Sequence, residues 1–181
     1  MNKKILFITQ SAMIAAVYVV LTYFINAFNL ASGAIQIRIS EALTVLPYFT
    51  PAAIPGLAIG CFISNILTGG LLPDIIFGSL ATLIGATCSY LLRNHKFMLT
   101  LPPVIANMLI VPFILKYAYG VPSVIFKGVD LTIPFLMATV GIGEVISCCI
   151  LGTVLIRVLG KYRGQIFGAV ASTSKSLKKV W

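Results

Sequence analysis

Charge is spaced along this chain in a way few folds tolerate. No charged residue stands between Lys4 and Arg38, between Glu41 and Asp74, between Asp74 and Arg93, or between Lys96 and Lys116. From Asp130 to Arg157 the only charge is Glu144. A membrane-spanning helix needs roughly 20 mostly apolar residues. Residues 5–27, 74–92, 97–119 and 132–156 meet that requirement. The stretch 42–72 is either one overlong helix or two short ones turning near Pro47, Pro51 and Pro55.

Composition excludes the alternatives to a membrane fold. Charged residues make up 9% of the 181, where soluble domains carry about a quarter. Too little charge remains to cover a water-facing surface. An ordinary cytosolic enzyme, a disordered chain and a nucleic-acid binder are all excluded, although 13 Lys and Arg face only 4 Asp and Glu.

Basic residues then choose the number of crossings, because cytoplasmic flanks collect Lys and Arg. Lys3 and Lys4 precede the first helix, and Arg93 and Lys96 follow the helix from Asp74. Arg157, Lys161, Arg163, Lys175, Lys178 and Lys179 follow the last. All three clusters lie on one side only if the chain crosses twice between Glu41 and Leu72. The expectation is therefore an all-α integral membrane protein of the cell membrane. It is a compact bundle of six transmembrane helices, with N- and C-termini cytoplasmic. The second span covers about 41–49, the turn 50–55 and the third span 56–67. Short helices at membrane depth are tolerated where they pack inside protein. The whole chain, 1–181, reads as one domain. It has an outer lid loop at about 26–40 and a basic cytoplasmic tail at about 157–181. Further outer loops fall at 68–73 and 120–131. In the lid, residues 35–40 alternate apolar and polar, which indicates either a short extended segment or a plain loop. The first apolar run exceeds the 7–15 residues or so of a signal-peptide core, so it is read as a retained helix.

Little in the chain supports catalysis. The only histidine, His95, falls in a basic cytoplasmic turn, and no GxxxxGK[ST] phosphate loop occurs. Cys61, Cys88, Cys148 and Cys149 fall inside predicted spans without ligand spacing. They read as packing residues, with no metal, cofactor or disulfide implied.

The polar residues within the spans are the candidate site. Glu144 lies about 18 Å into the last helix at about 1.5 Å per residue, near mid-bilayer, where a carboxylate faces a cavity or a partner. Gly141 and Gly143 leave room beside it. Asn107 sits at similar depth on the fifth helix, where an amide either reads a ligand edge or bonds a neighbouring helix. Arg38 and Glu41, three apart, either pair as a surface bridge or line a pocket mouth with Gln36. Ser64 and Asn65 lie at the outer end of the third span. Asp74 and Asp130 read as charges at helix starts, and Lys116 as a snorkelling side chain. Ala12 and Ala16, four apart on the first helix, would let another helix approach closely.

The run Gln36-Ile37-Arg38-Ile39-Ser40-Glu41-Ala42-Leu43-Thr44-Val45-Leu46-Pro47 resembles the substrate-binding S components of energy-coupling factor (ECF) transporters. So do residues 50–57, 74–83 and 101–104, together with Asn107 and the run Gly141-Ile142-Gly143-Glu144. Within those components the chain is most similar to the QueT family, assigned to queuosine-precursor uptake. The resemblance covers nearly the whole chain. It implies six helices, an outer binding site under a lid formed by the first loop, and Ala12 and Ala16 docking on a transmembrane coupling subunit. It further implies two ATPase subunits as partners and a 7-deazaguanine-type substrate. Glu144 is the first candidate to hold such a base, with Asn107 beside it. Glu41 is second, Arg38 and Gln36 shape the lid, and Asn65 completes the set. Tyr48, Phe49, Tyr117 and Tyr119 are available for stacking. The alternatives are an S component for another vitamin or purine-like base, a small membrane enzyme acting on lipid, and a ligand-free assembly protein.

Overall fold

The computed structural model describes residues 3–27, 38–95 and 98–162. Four helices are long and apolar enough to cross a membrane: α1 (Lys3–Ala27), α3 (Asp74–Leu91), α4 (Met98–Tyr117) and α5 (Thr132–Lys161). Between α1 and α3 run two shorter segments, a 3₁₀ helix over Ile39–Tyr48 and α2 (Ala53–Leu67). The chain is thus an all-α, multi-pass membrane protein. Of the six spans expected, four are long enough to cross a membrane among the described residues, and the second and third, expected to be short, are these two short segments.

The physical reason lies in the prolines. Pro47 lacks the N–H that an α-helical interior needs, and Pro51 and Pro55 follow within eight residues. The segment instead adopts the tighter 3₁₀ winding, which rarely runs beyond 3–4 residues. Here it persists for ten. Every residue from Ser40 to Pro47 is buried, so neighbouring helices rather than propensity hold it. At about 2.0 Å per residue this segment reaches roughly 20 Å into the bundle. Its end is tied to α1. The Ser11 hydroxyl donates to the Ala52 carbonyl at 2.9 Å, and the Thr50 hydroxyl donates to the Gln10 amide oxygen at 3.0 Å.

Around this buried segment sits the core, with Ile14 and Tyr18 of α1, Val45 and Leu46, Leu57 of α2, Leu99 of α4 and Ile156 of α5. Helices α1 and α2 pack backbone to backbone. A Cβ at Gly60 would stand 2.8 Å from Tyr18 Cβ and 3.1 Å from Ala15 Cα. The outward faces are apolar, as lipid requires: Ile8, Met13, Val20, Leu91 and Ile150 are all exposed.

Two helices contain a π-turn, over Asp74–Gly78 in α3 and Val145–Leu151 in α5. Such turns are rare and concentrate at functional sites. The first begins at Asp74 and the second directly follows Glu144.

The loop before α5 holds an unexpected two-stranded hairpin, Ile125–Phe126 against Val129–Asp130, turning through Lys127 and Gly128 at positive φ. Lys116 does not simply snorkel. Its ammonium lies 2.5 Å from Asp130 Oδ2, while Asp130 Oδ1 accepts from the Thr132 backbone N–H at 2.9 Å and from the Thr132 hydroxyl. These donors, Lys116 first, hold the Asp130 carboxyl well below the usual carboxylate range. A depressed folded value means the contribution is present above the ordinary value of about 4 and is lost as pH falls through the folded one. Amide protection factors in the hairpin are therefore expected to stay constant from neutral pH down to about 4. They decline only in stronger acid. A decline beginning near neutrality would show that Asp130 does not hold the loop.

The extended reading of 35–40 is corrected at its end. Arg38 is extended, but Ile39 and Ser40 already belong to the 3₁₀ helix. The proposed lid is also corrected at its start, because Asn26 and Ala27 belong to α1; residues 28–37, including Gln36, lie outside the described residues, as do both chain ends and the basic tail beyond residue 162.

Candidate functional site

A cavity of about 360 Å³ opens between the ends of α1, α2 and α4 and the starts of the 3₁₀ helix and α3. Its polar lining includes Arg38, Ser40, Asn65, Asp74 and Tyr119. Asp74 stands at the start of α3, as expected, but its side chain does more than a helix-start charge. Asp74 is buried, accepts from the Tyr119 hydroxyl at 3.1 Å and pairs with Arg38 at 3.9 Å. Arg38 therefore meets Asp74 of α3, in place of the bridge to Glu41 that their spacing allowed. Asn65 fixes the same corner, its amide donating to the Asp74 carbonyl at 3.2 Å. Tyr119 also accepts from the Leu71 backbone N–H at 3.2 Å. Burial first, and the Asp74 carboxylate beside it, push the Tyr119 phenol above its usual value. It therefore remains a donor to Asp74 at neutral pH.

A buried polar cluster begins one residue past Ser40 of the cavity lining. Glu41 follows Ser40 into the core and is 0% exposed, Asn107 is 1% exposed and Glu144 is 4% exposed. Tyr18 of α1 donates to Glu41 Oε1. The Cys148 thiol lies 3.3 Å from Glu144 Oε2, in position to donate, and 3.5 Å from the Glu41 carbonyl. Carboxylate oxygens of Glu41 and Glu144 and the sulfur of Cys148 all lie within 4.8 Å of one another. Cys148 thus belongs to the polar cluster, which corrects its reading as packing alone. At Gly141 the neighbour is Met108 of α4. A Cβ there would stand 3.0 Å from Met108 Sδ, so α5 approaches α4 closely and Asn107 comes beside Glu144.

The expected site residues thus fall in two groups. Arg38 and Asn65 line the cavity, while Glu41, Asn107 and Glu144 form the buried cluster. Asp74, Tyr119, Tyr18 and Cys148 join them without having been singled out as a group. Tyr117 is exposed, and the ring of Tyr48 packs edge-on to Phe49 at 4.9 Å between centroids, away from the cavity lining. Chemically, two buried carboxylates and an amide adjoining a polar mouth suit a small ligand rich in N–H donors.

Comparison with known proteins agrees in kind. A family model described as "QueT transporter" matches residues 8–161. The queuosine precursor transporter QueT of Lactococcus lactis subsp. cremoris is 38% identical over 88 residues, covering 49% of this chain and 52% of the relative. The match spans about half the length of that curated relative. No solved structure gives a significant match. With its family match running from α1 almost to the end of α5, this chain belongs to the QueT family of membrane transporters.

Proposed function

We propose that the chain is the substrate-binding S component of an ECF-type importer. It captures a queuosine precursor, a 7-deazaguanine-type base, at its outer face for ATP-driven uptake by partner subunits. The observation that carries this reading is the cavity between Arg38, Asn65, Asp74 and Tyr119, whose lining residue Ser40 leads directly into the buried Glu41 and its neighbours Glu144 and Cys148. Small-molecule sites commonly occupy roughly 300–1,000 Å³, and about 360 Å³ suits a bicyclic base. The printed name of the Lactococcus relative supports the ligand class.

In this reading residues 1–181 form one domain of six membrane crossings with both ends cytoplasmic. The 3₁₀ helix and α2 make the short second and third crossings. Their turn at 49–52 and the three basic clusters support that parity. The loop at 26–40 serves as a lid that Gln36 and Arg38 help to shape. Ala12 and Ala16 dock on the coupling subunit, and two ATPases act through it. A lipid-modifying enzyme is less well supported, because Glu41 and Glu144 are enclosed rather than displayed at an interface. Another vitamin or purine-like base remains the competing ligand.

Titration calorimetry of the purified protein with 7-deazaguanine derivatives and with a panel of vitamins and purines tests this. Binding of a 7-deazaguanine is expected, and Asp74→Ala is expected to weaken it roughly tenfold, the scale of one lost charged hydrogen bond. Tight binding of another vitamin alone would replace the ligand, and binding of nothing would overturn the reading.

A further inference from the structure

Among the described residues, four buried side-chain atoms have no hydrogen-bond partner: Glu41 Oε2, both amide atoms of Asn107, and Ser147 Oγ. An unpaired buried polar group costs roughly 1–3 kcal/mol, so such atoms are few in native proteins and ask for an explanation. Here all of them belong to the buried cluster or to the helical turn beside it. Glu41 and Ser147 are 0% exposed and Asn107 is 1% exposed.

The open atoms form a pattern. Glu41 has given one oxygen to Tyr18 and keeps the other free. Glu144 Oε2 is engaged by Cys148. Among the described residues, Glu41 Oε2 is the fully enclosed carboxylate oxygen without a hydrogen-bond partner. Asn107 adds one acceptor and one donor, and Ser147 adds a hydroxyl that serves as either. The π-turn after Glu144 lets Ser147 and Cys148 both face inward. Resting on the reading of this cluster as part of the substrate site, we infer that Glu41, Asn107 and Ser147 recognise one edge of a planar base. That edge carries adjacent N–H donors next to a carbonyl acceptor, as a 2-amino-6-oxo deazapurine does. Glu41 is the principal acceptor, ahead of Glu144. An adenine-type edge presents a ring acceptor where the guanine type presents an N–H, so it would face the Glu41 oxygen with a lone pair.

Affinities of 7-deazaguanine and 7-deazaadenine for the purified full-length protein test the assignment. In Glu41→Gln the amide oxygen keeps the Tyr18 hydrogen bond, and the NH₂ group turns toward the ligand. The 7-deazaguanine affinity is expected to fall roughly 10- to 100-fold, the range for a charged hydrogen bond. The ratio of the two affinities is expected to fall by about tenfold or more on the same grounds. Asn107→Asp provides a second variant of unchanged shape, expected to shift the ratio the same way by turning a donor into an acceptor. Unchanged 7-deazaguanine affinity in both variants, or equal weakening of both bases, would overturn the inference while leaving the proposed function standing. A wild-type protein that binds neither base would overturn both.

Discussion

Gly60→Leu is expected to lower the thermal midpoint of the purified protein by about 5–10 °C, from an overpacking cost of roughly 1–3 kcal/mol. The site offers no easy relief. Any Cβ at position 60 meets Tyr18 Cβ at 2.8 Å and the Ala15 backbone at 3.1 Å. Neither atom is the end of a flexible side chain, so α1 and α2 must separate. Nearby Gly56 faces the same helix, where its Cβ would stand 2.7 Å from the Ser11 carbonyl. Separation has a second consequence. Tyr18 is the donor that holds Glu41 Oε1, so moving α1 also releases the buried carboxylate. Ligand affinity is expected to fall together with stability. Gly160→Ala is the control: nothing lies within 4 Å of a Cβ there, and its midpoint is expected to stay unchanged. A Gly60→Leu protein with the wild-type midpoint would show that the α1–α2 contact is looser than the geometry requires.

Where the bilayer dictated the pattern, the sequence was legible. Apolar run length is set by membrane thickness, and the starts and ends of α1, α3 and α4 follow the expected spans within two residues. The last helix runs on to Lys161, past the expected end at 156. Thirty residues at about 1.5 Å each exceed the roughly 30 Å apolar core, so its basic end emerges into water. Glu144 was legible because one carboxylate in a long apolar run has no local partner. Glu41 was less so, since its neighbour Arg38 offered a local partner and made the position read as interfacial. Its burial depends on the 3₁₀ winding, which no periodicity in ten residues reveals. Asp74 is a helix-start charge as expected, but its role in the cavity is hidden for a related reason. A carboxylate after a proline at a helix start fits a local rule, whereas its actual partners, Arg38 and Tyr119, lie 36 residues before and 45 after. Cys148 was read as packing because its contacts to Glu41 and Thr44 span more than a hundred residues.

Ala16→Trp is expected to abolish co-purification of the proposed coupling subunit and ATPases while leaving ligand affinity within about twofold, well under one hydrogen bond. The two faces of α1 explain why these effects should separate. Ser11, Ile14, Ala15 and Tyr18 are buried against the 3₁₀ helix and α2. Ala12 and Ala16 are exposed on the opposite side, beside Met13 and Val17. Small residues on a lipid-facing helix let a second backbone come close, and in lipid that packing drives association in place of hydrophobic burial. An indole at position 16 would hold a docking helix off by the width of a ring, removing contacts along the whole seam. Ala12, Met13, Ala16 and Val17 are not among the described residues that line the cavity, and the hydrogen bond to Glu41 comes from Tyr18 on the other face. Affinity purification from cells co-expressing a complete ECF module, followed by calorimetry on the isolated variant, separates the two readouts. Partners retained at wild-type levels would exclude this face as the docking surface. Lost ligand affinity alongside lost partners would mean that the two faces of α1 are not independent.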